Sequence, residues 1–121
     1  VIAMQTSVAR WGRAGALYDL VAGIAFVTPW TAALALDLLG TAHTTETLLF
    51  ATLFGTVVVM WSIARWYRPE PLLITIDTVG RALFSLWFVW ALWNGQTPVL
   101  AGFLALELFW GAAQLRALVR R

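Results

Sequence analysis

Residues 72–93, LLITIDTVGRALFSLWFVWALW, decide how this chain folds. The stretch is long enough to cross a bilayer as one helix, for which about 20 apolar residues suffice. It nevertheless carries Asp77 and Arg81, one helical turn apart on one face. A guanidinium at bilayer depth costs at least about 2.5 to 3.5 kcal/mol and is normally held against a partner or in a wet cavity. The segment therefore reads as a membrane helix whose charged face turns inward, and the rest of the chain must supply the surfaces that receive it.

Composition agrees. The 121 residues are 61% hydrophobic and 12% charged, with eight Trp, and the mean hydropathy is +0.81. Soluble domains lie far from this balance. The length accommodates a single membrane domain, 1–121, with four spans of about 20 residues each. No Cys is present, which excludes disulfides, thiolate metal ligands and a thiol nucleophile. The isoelectric point near 9.9 does not point to nucleic acid, because the arginines are dispersed and line no single face.

The spans are bounded by Pro, Gly and capping residues. The first covers about residues 8–28 and is stopped by Pro29. Residues 31–39, with Asp37 among them, read as a short interfacial helix or a kinked continuation of the first span, and the interfacial helix is the favoured expectation. Thr44 or Thr45 caps a second span, about 47–67, and Glu46 suits the positive end of its dipole. Arg68-Pro69-Glu70-Pro71 forces a break. The third span, 72–93, ends at Asn94-Gly95, and Thr97-Pro98 opens the fourth, about 98–119. A signal peptide is the competing reading of the first segment, but no small-residue cleavage site followed by a soluble mature domain is evident. Val1 is an unusual first residue, for which an alternative start codon or a start at Met4 would account.

All eight basic residues are arginines. Arg10 and Arg13 precede the first span, Arg65 and Arg68 lie at the turn after the second, and Arg116, Arg120 and Arg121 close the chain; the other two connections carry none. By the positive-inside rule both termini face the cytoplasm. Trp11, Trp30, Trp66 and Trp93 then fall near the interfaces, where Trp is commonly an anchor. The lipid bilayer is the first expected partner, and the expected location is a bacterial inner membrane.

Arg81 is the exception to this pattern. At 1.5 Å per residue it lies about 13 Å along its span, and Glu107 lies about 13 Å along the fourth from the opposite side. Asp19 is roughly central in the first span. A cluster of Asp19, Asp77, Arg81 and Glu107 is therefore expected, three acids around one base. Fully ionised it would carry two excess negative charges, so at least one carboxyl should be protonated or matched by a cation. Gly15, Asp19 and Gly23 form a small-residue stripe that lets a neighbour approach. Glu107, Gly111 and Gln114 share one face, as do Asp77, Gly80, Arg81 and Phe84. Ala51 and Gly55 give the second span a contact stripe; without a deep charge, that span is expected mainly to pack.

Two roles account for the charges: a network that fixes helix register in lipid, or a ligand or proton site. Trp87, Trp90 and Trp93 drift around their helix by about 60° per step and suit lipid or partner contact better than a cofactor. His43 stands alone, near Asp37 and Glu46 only in sequence, and no metal site is expected. No Ser-His-acid set or phosphate loop recommends itself, so neither enzymatic activity nor a cofactor is expected.

Four short spans with both ends inside, a Pro after the first, Glu46 opening the second, Gly80-Arg81 in the third and Glu107 in the fourth resemble the DoxX-like group of small bacterial membrane proteins. The resemblance implies a four-helix membrane fold and, for some members, association with membrane redox or oxidative-stress complexes. The leading expectation is an accessory or structural subunit of a larger membrane complex, with other membrane subunits or a second copy as partners. The alternatives are a proton-coupled small-molecule transporter, disfavoured by the fixed charge of Arg81, and an apolar-ligand-binding protein, both using the buried carboxylates.

Overall fold

The computed structural model describes residues 2–120, with side chains from Thr6 onward. Val1 and Arg121 lie outside the described residues, as does the side chain of Met4. The described chain is all helical: α1 Ile2–Gly23, a 3-10 turn Ile24–Phe26, α2 Pro29–Leu38, α3 Thr45–Tyr67, α4 Pro71–Trp93 and α5 Val99–Val119.

The punctuation follows from local chemistry. Thr28, before a proline, is driven out of the helical region and is extended at φ −124° and ψ 150°. From there its hydroxyl accepts from Thr31 N at 3.1 Å and caps α2, with Pro29 in the first turn. Pro29 therefore starts a helix as well as ending the preceding segment. The first helix also stops earlier than the apolar run suggests, at Gly23, and passes through the 3-10 turn before α2 departs at 102°. Gly40 and Gly95 end α2 and α4 at φ +72° and +82°, a conformation that costs glycine nothing. At each, the next two N–H groups satisfy the last carbonyls: Gly40 to Asp37 and Thr41 to Leu36, Gly95 to Leu92 and Gln96 to Ala91. Thr44 opens α3 in a reciprocal capping box with Thr47.

Three helices, α3, α4 and α5, are each long and apolar enough to cross a membrane; the first segment with α2 makes a fourth only if the bent pair counts as one span. The charges of α1 and its 102° departure into α2 explain why it stands apart. α1 packs against α3 and α5, α4 packs along α5, and α2 rests on α3. α3 and α4 are consecutive yet stay apart along most of their length. Side chains bridge that seam: Phe54 on Phe84, ring centroids 5.8 Å apart, and Trp61 on Asp77.

Burial is inverted relative to a soluble protein. The buried apolar residues are few and mostly small, namely Val8, Ala16, Ala32, Ile74 and Ala117, whereas Ser62, Arg65, Asp77, Arg81, Ser85, Glu107 and Gln114 are buried and polar. Leu, Phe and Trp side chains cover the outside, including Phe50, Trp87, Trp90 and Trp93. An apolar exterior around a polar interior suits a hydrocarbon surround, where burying apolar side chains brings little gain and polar groups must be satisfied inside.

Candidate functional site: a five-charge network inside the bundle

Close approach of the backbones makes room for the network. A Cβ on Gly15 would sit 2.7 Å from Gln114 Oε1 and 3.1 Å from Arg81 Nη2, and one on Gly23 would sit 2.8 Å from Val58. One on Gly55 would sit 2.5 Å from the Phe26 backbone, so α3 lies directly on the 3-10 turn. The small-residue stripes of α1 and α3 are thus real contacts. Gly80 differs: nothing lies within 4 Å of its Cβ position. Phe84 packs on Phe54 across the α3–α4 seam and takes no part in the network, and the buried line of α4 runs Ile74, Asp77, Arg81, Ser85.

Arg81 joins three helices through its own side chain. Its Nη2 donates to Asp19 Oδ2 at 2.7 Å and to the Gly15 carbonyl at 3.3 Å. Its Nε donates to Asp77 Oδ2 at 2.9 Å and its Nη1 to Glu107 Oε2 at 3.2 Å. The four residues expected to cluster are therefore brought together.

The expectation that α3, without a deep charge, mainly packs is corrected by Arg65. Its side chain is completely buried, and its Nη2 donates to Asp19 Oδ2. Nη1 stands 3.1 Å from Asp77 Oδ2 but, like Nε, lacks a hydrogen bond of good geometry; it meets that carboxylate as a charge. Trp61 lies under the guanidinium, 5.6 Å from Arg65 Cζ to the ring centroid, and its Nε1 donates to Asp77 Oδ1 at 2.9 Å. Gln114 adds donors from α5, with Nε2 at 3.0 Å from Asp77 Oδ2 and 3.1 Å from Thr78 Oγ1.

Two guanidiniums thus meet three carboxylates. Fully ionised, the network carries one excess negative charge, not the two that the lone Arg81 implied. Asp77 is the most heavily bonded acid, receiving Trp61 on one oxygen and Arg81 and Gln114 on the other. Asp19 and Glu107 differ: Asp19 Oδ1 and Glu107 Oε1 accept nothing among the described residues. A guanidinium stays protonated, so any proton or cation that the network takes must go to a carboxylate.

Arg65 carried a signal in the sequence. The Ala51–Gly55 stripe, extended by helical steps, reaches Ser62 and then Arg65, the residues that α3 buries. Two other arginines bond outside the network. Arg13 Nε donates to the Trp66 carbonyl at 2.9 Å, and Arg68 pairs with Glu70 in the α3–α4 turn. Trp30 and Trp93 are exposed, Trp66 is partly so, and Trp11 packs on the Val8–Ile74–Ala117 core with Phe109 and Trp110 at ring distances of 6.2 Å. His43 is not alone, for its Nε2 lies 3.0 Å from Asp37 Oδ1.

Compared with known protein families, with curated proteins and with solved structures, the chain matches none.

Proposed function

We propose that the chain is a small integral membrane protein that serves as an accessory or structural subunit of a larger membrane complex, its buried network fixing the packing of its helices. The observation that carries this reading is the coordination of Asp77 and Arg81. Between them they take hydrogen bonds to or from α1, α3 and α5 as well as each other. Donors and acceptors committed so fully to neighbouring helices act as helix–helix connectors in lipid. The wide exterior of Trp, Phe and Leu is then available to partner helices and lipid. The arginine-bearing ends support a four-span arrangement in a bacterial inner membrane with both termini cytoplasmic, and α2 as an interfacial helix. The resemblance to the DoxX-like group is in keeping with this.

A second reading, a proton-coupled transporter, is favoured by one observation: the excess negative charge combined with free oxygens on Asp19 and Glu107. Mild-detergent extraction from the native membrane, followed by native gels and mass spectrometry, separates the two. Stoichiometric co-migration with other proteins that survives dilution is the result expected of a subunit. Migration alone would overturn it and turn attention to transport, where Asp19→Asn with Glu107→Gln should abolish proton-coupled flux.

A further inference from the structure

At the basic end, the groove between the start of α1 and the end of α5 has a composition that the charge network does not explain. A cavity of about 600 Å³ is lined by Ser7, Arg10, Trp11, Phe109, Ala113, Arg116, Ala117 and Arg120. Three of these are arginines and none is acidic. Among the described residues no ion pair or side-chain hydrogen bond engages Arg10, Arg116 or Arg120, although Glu70 is available to Arg68 at the same end.

The groove is also graded along its length. Arg116 and Arg120 stand one turn apart at the mouth with Arg10 facing them from α1, whereas Phe109 lies about 10 Å deeper, two turns before Arg116. Phe109 and Trp11 line the deeper part in ring contact, beside Ala113. A charged mouth above an aromatic and small-residue channel is complementary to a molecule with an anionic head and an apolar tail. Clusters of arginine between membrane helices on the cytoplasmic side recognise lipid phosphates in this way, and guanidinium forks suit phosphate oxygens.

We propose that Arg10, Arg116 and Arg120 bind the phosphate of an anionic phospholipid whose acyl chain runs along Trp11, Phe109 and Ala113. The inference rests on the membrane-embedded reading of the chain and is independent of the subunit role. It is tested with full-length protein reconstituted into phosphatidylcholine vesicles with and without phosphatidylglycerol, then extracted mildly for native mass spectrometry. Wild type should retain phosphatidylglycerol at least about tenfold over phosphatidylcholine, because the choline cation of the latter offsets its own phosphate and is repelled by the three arginines, and about 1 kcal/mol per arginine toward a net anionic lipid exceeds the roughly 1.4 kcal/mol that tenfold requires. R10Q/R116Q/R120Q should lose that preference, and R68Q, the loss of an arginine at the same end that is already paired, should keep it. Equal retention of both lipids by wild type, or an undiminished preference in the triple variant, would overturn the site. Displacement of the lipid by millimolar glycerol phosphate would show a site for free phosphate and would also overturn it. Protein that inserts into both vesicles without selecting a lipid refutes this site alone; protein that floats with neither refutes the membrane reading as well.

Discussion

Arg65 and Arg68 sit three residues apart at the end of α3, carry the same charge and neighbour similar residues. One is completely buried between two aspartates; the other is 73% exposed and pairs with Glu70 across a turn. The helical face decides between them: Arg65 continues the line of Gly55 and Ser62 that meets α1, and Arg68 is already past the helix. The inner pairings tie helices together, while the outer one spans two residues of one turn. An identical side chain is therefore a structural linchpin at one position and a solvated flank at the next.

The comparison breaks most readily at its strong end. Arg65→Ala should destabilise the bundle by about 3 to 5 kcal/mol, because it leaves half-buried Asp19 and buried Asp77 short of a counter-charge; thermal unfolding in detergent followed by Trp fluorescence measures this. A loss below about 1 kcal/mol would mean that the inner pairing is no stronger than a surface one. Next in size, Trp61→Phe keeps most of the ring packing but removes the donor to Asp77 Oδ1, at an expected cost of about 1 to 3 kcal/mol. Gly55→Ala should lose about 1 to 3 kcal/mol through collision with the Phe26 backbone, whereas Gly80→Ala, in open space on α4, should gain up to about 1 kcal/mol from helix propensity. If the two alanines behave alike, the close contact of α3 with the 3-10 turn is not present in solution. Smallest of all, Arg68→Ala should change stability by less than about 1 kcal/mol.

Most of the helical layout was legible in the sequence because its punctuation is strong. Thr44, Pro71 and the two glycines with positive φ leave little freedom, and α3, α4 and α5 begin and end within two residues of the expected positions. The first helix was less legible: its apolar run continues past Gly23, and only the threonine–proline cap on α2 reveals that the chain turns there. The cluster of Asp19, Asp77, Arg81 and Glu107 could be read from depth alone. Arg65 lies on the extension of the Ala51–Gly55 stripe, but that signal is masked, since arginine near a helix end is also the mark of the membrane boundary. A side chain that reaches back into the bundle from such a position looks the same in sequence as one that reaches out. Phe84 shares the charged face in sequence for a related reason: it and Ser85 both lie within one step of the Asp77–Arg81 line, and only packing buries Ser85 in its place.

The seam between α3 and α4 has a kinetic consequence. The other sides of the bundle are closed by helices in contact, which move together on microsecond and longer timescales. This side is closed by the side chains of Trp61, Phe54 and Phe84 and by the Arg65–Asp77 ion pair, and side chains turn far faster than helices shift. Rotation of Trp61 alone releases Asp77 Oδ1 and leaves the α1–α3 and α4–α5 contacts in place. The indole proton of Trp61 should therefore exchange with deuterated water well before the amides in the middle of α4, as nuclear magnetic resonance in micelles would record. Simultaneous exchange of the two would mean that the bundle opens only as a whole.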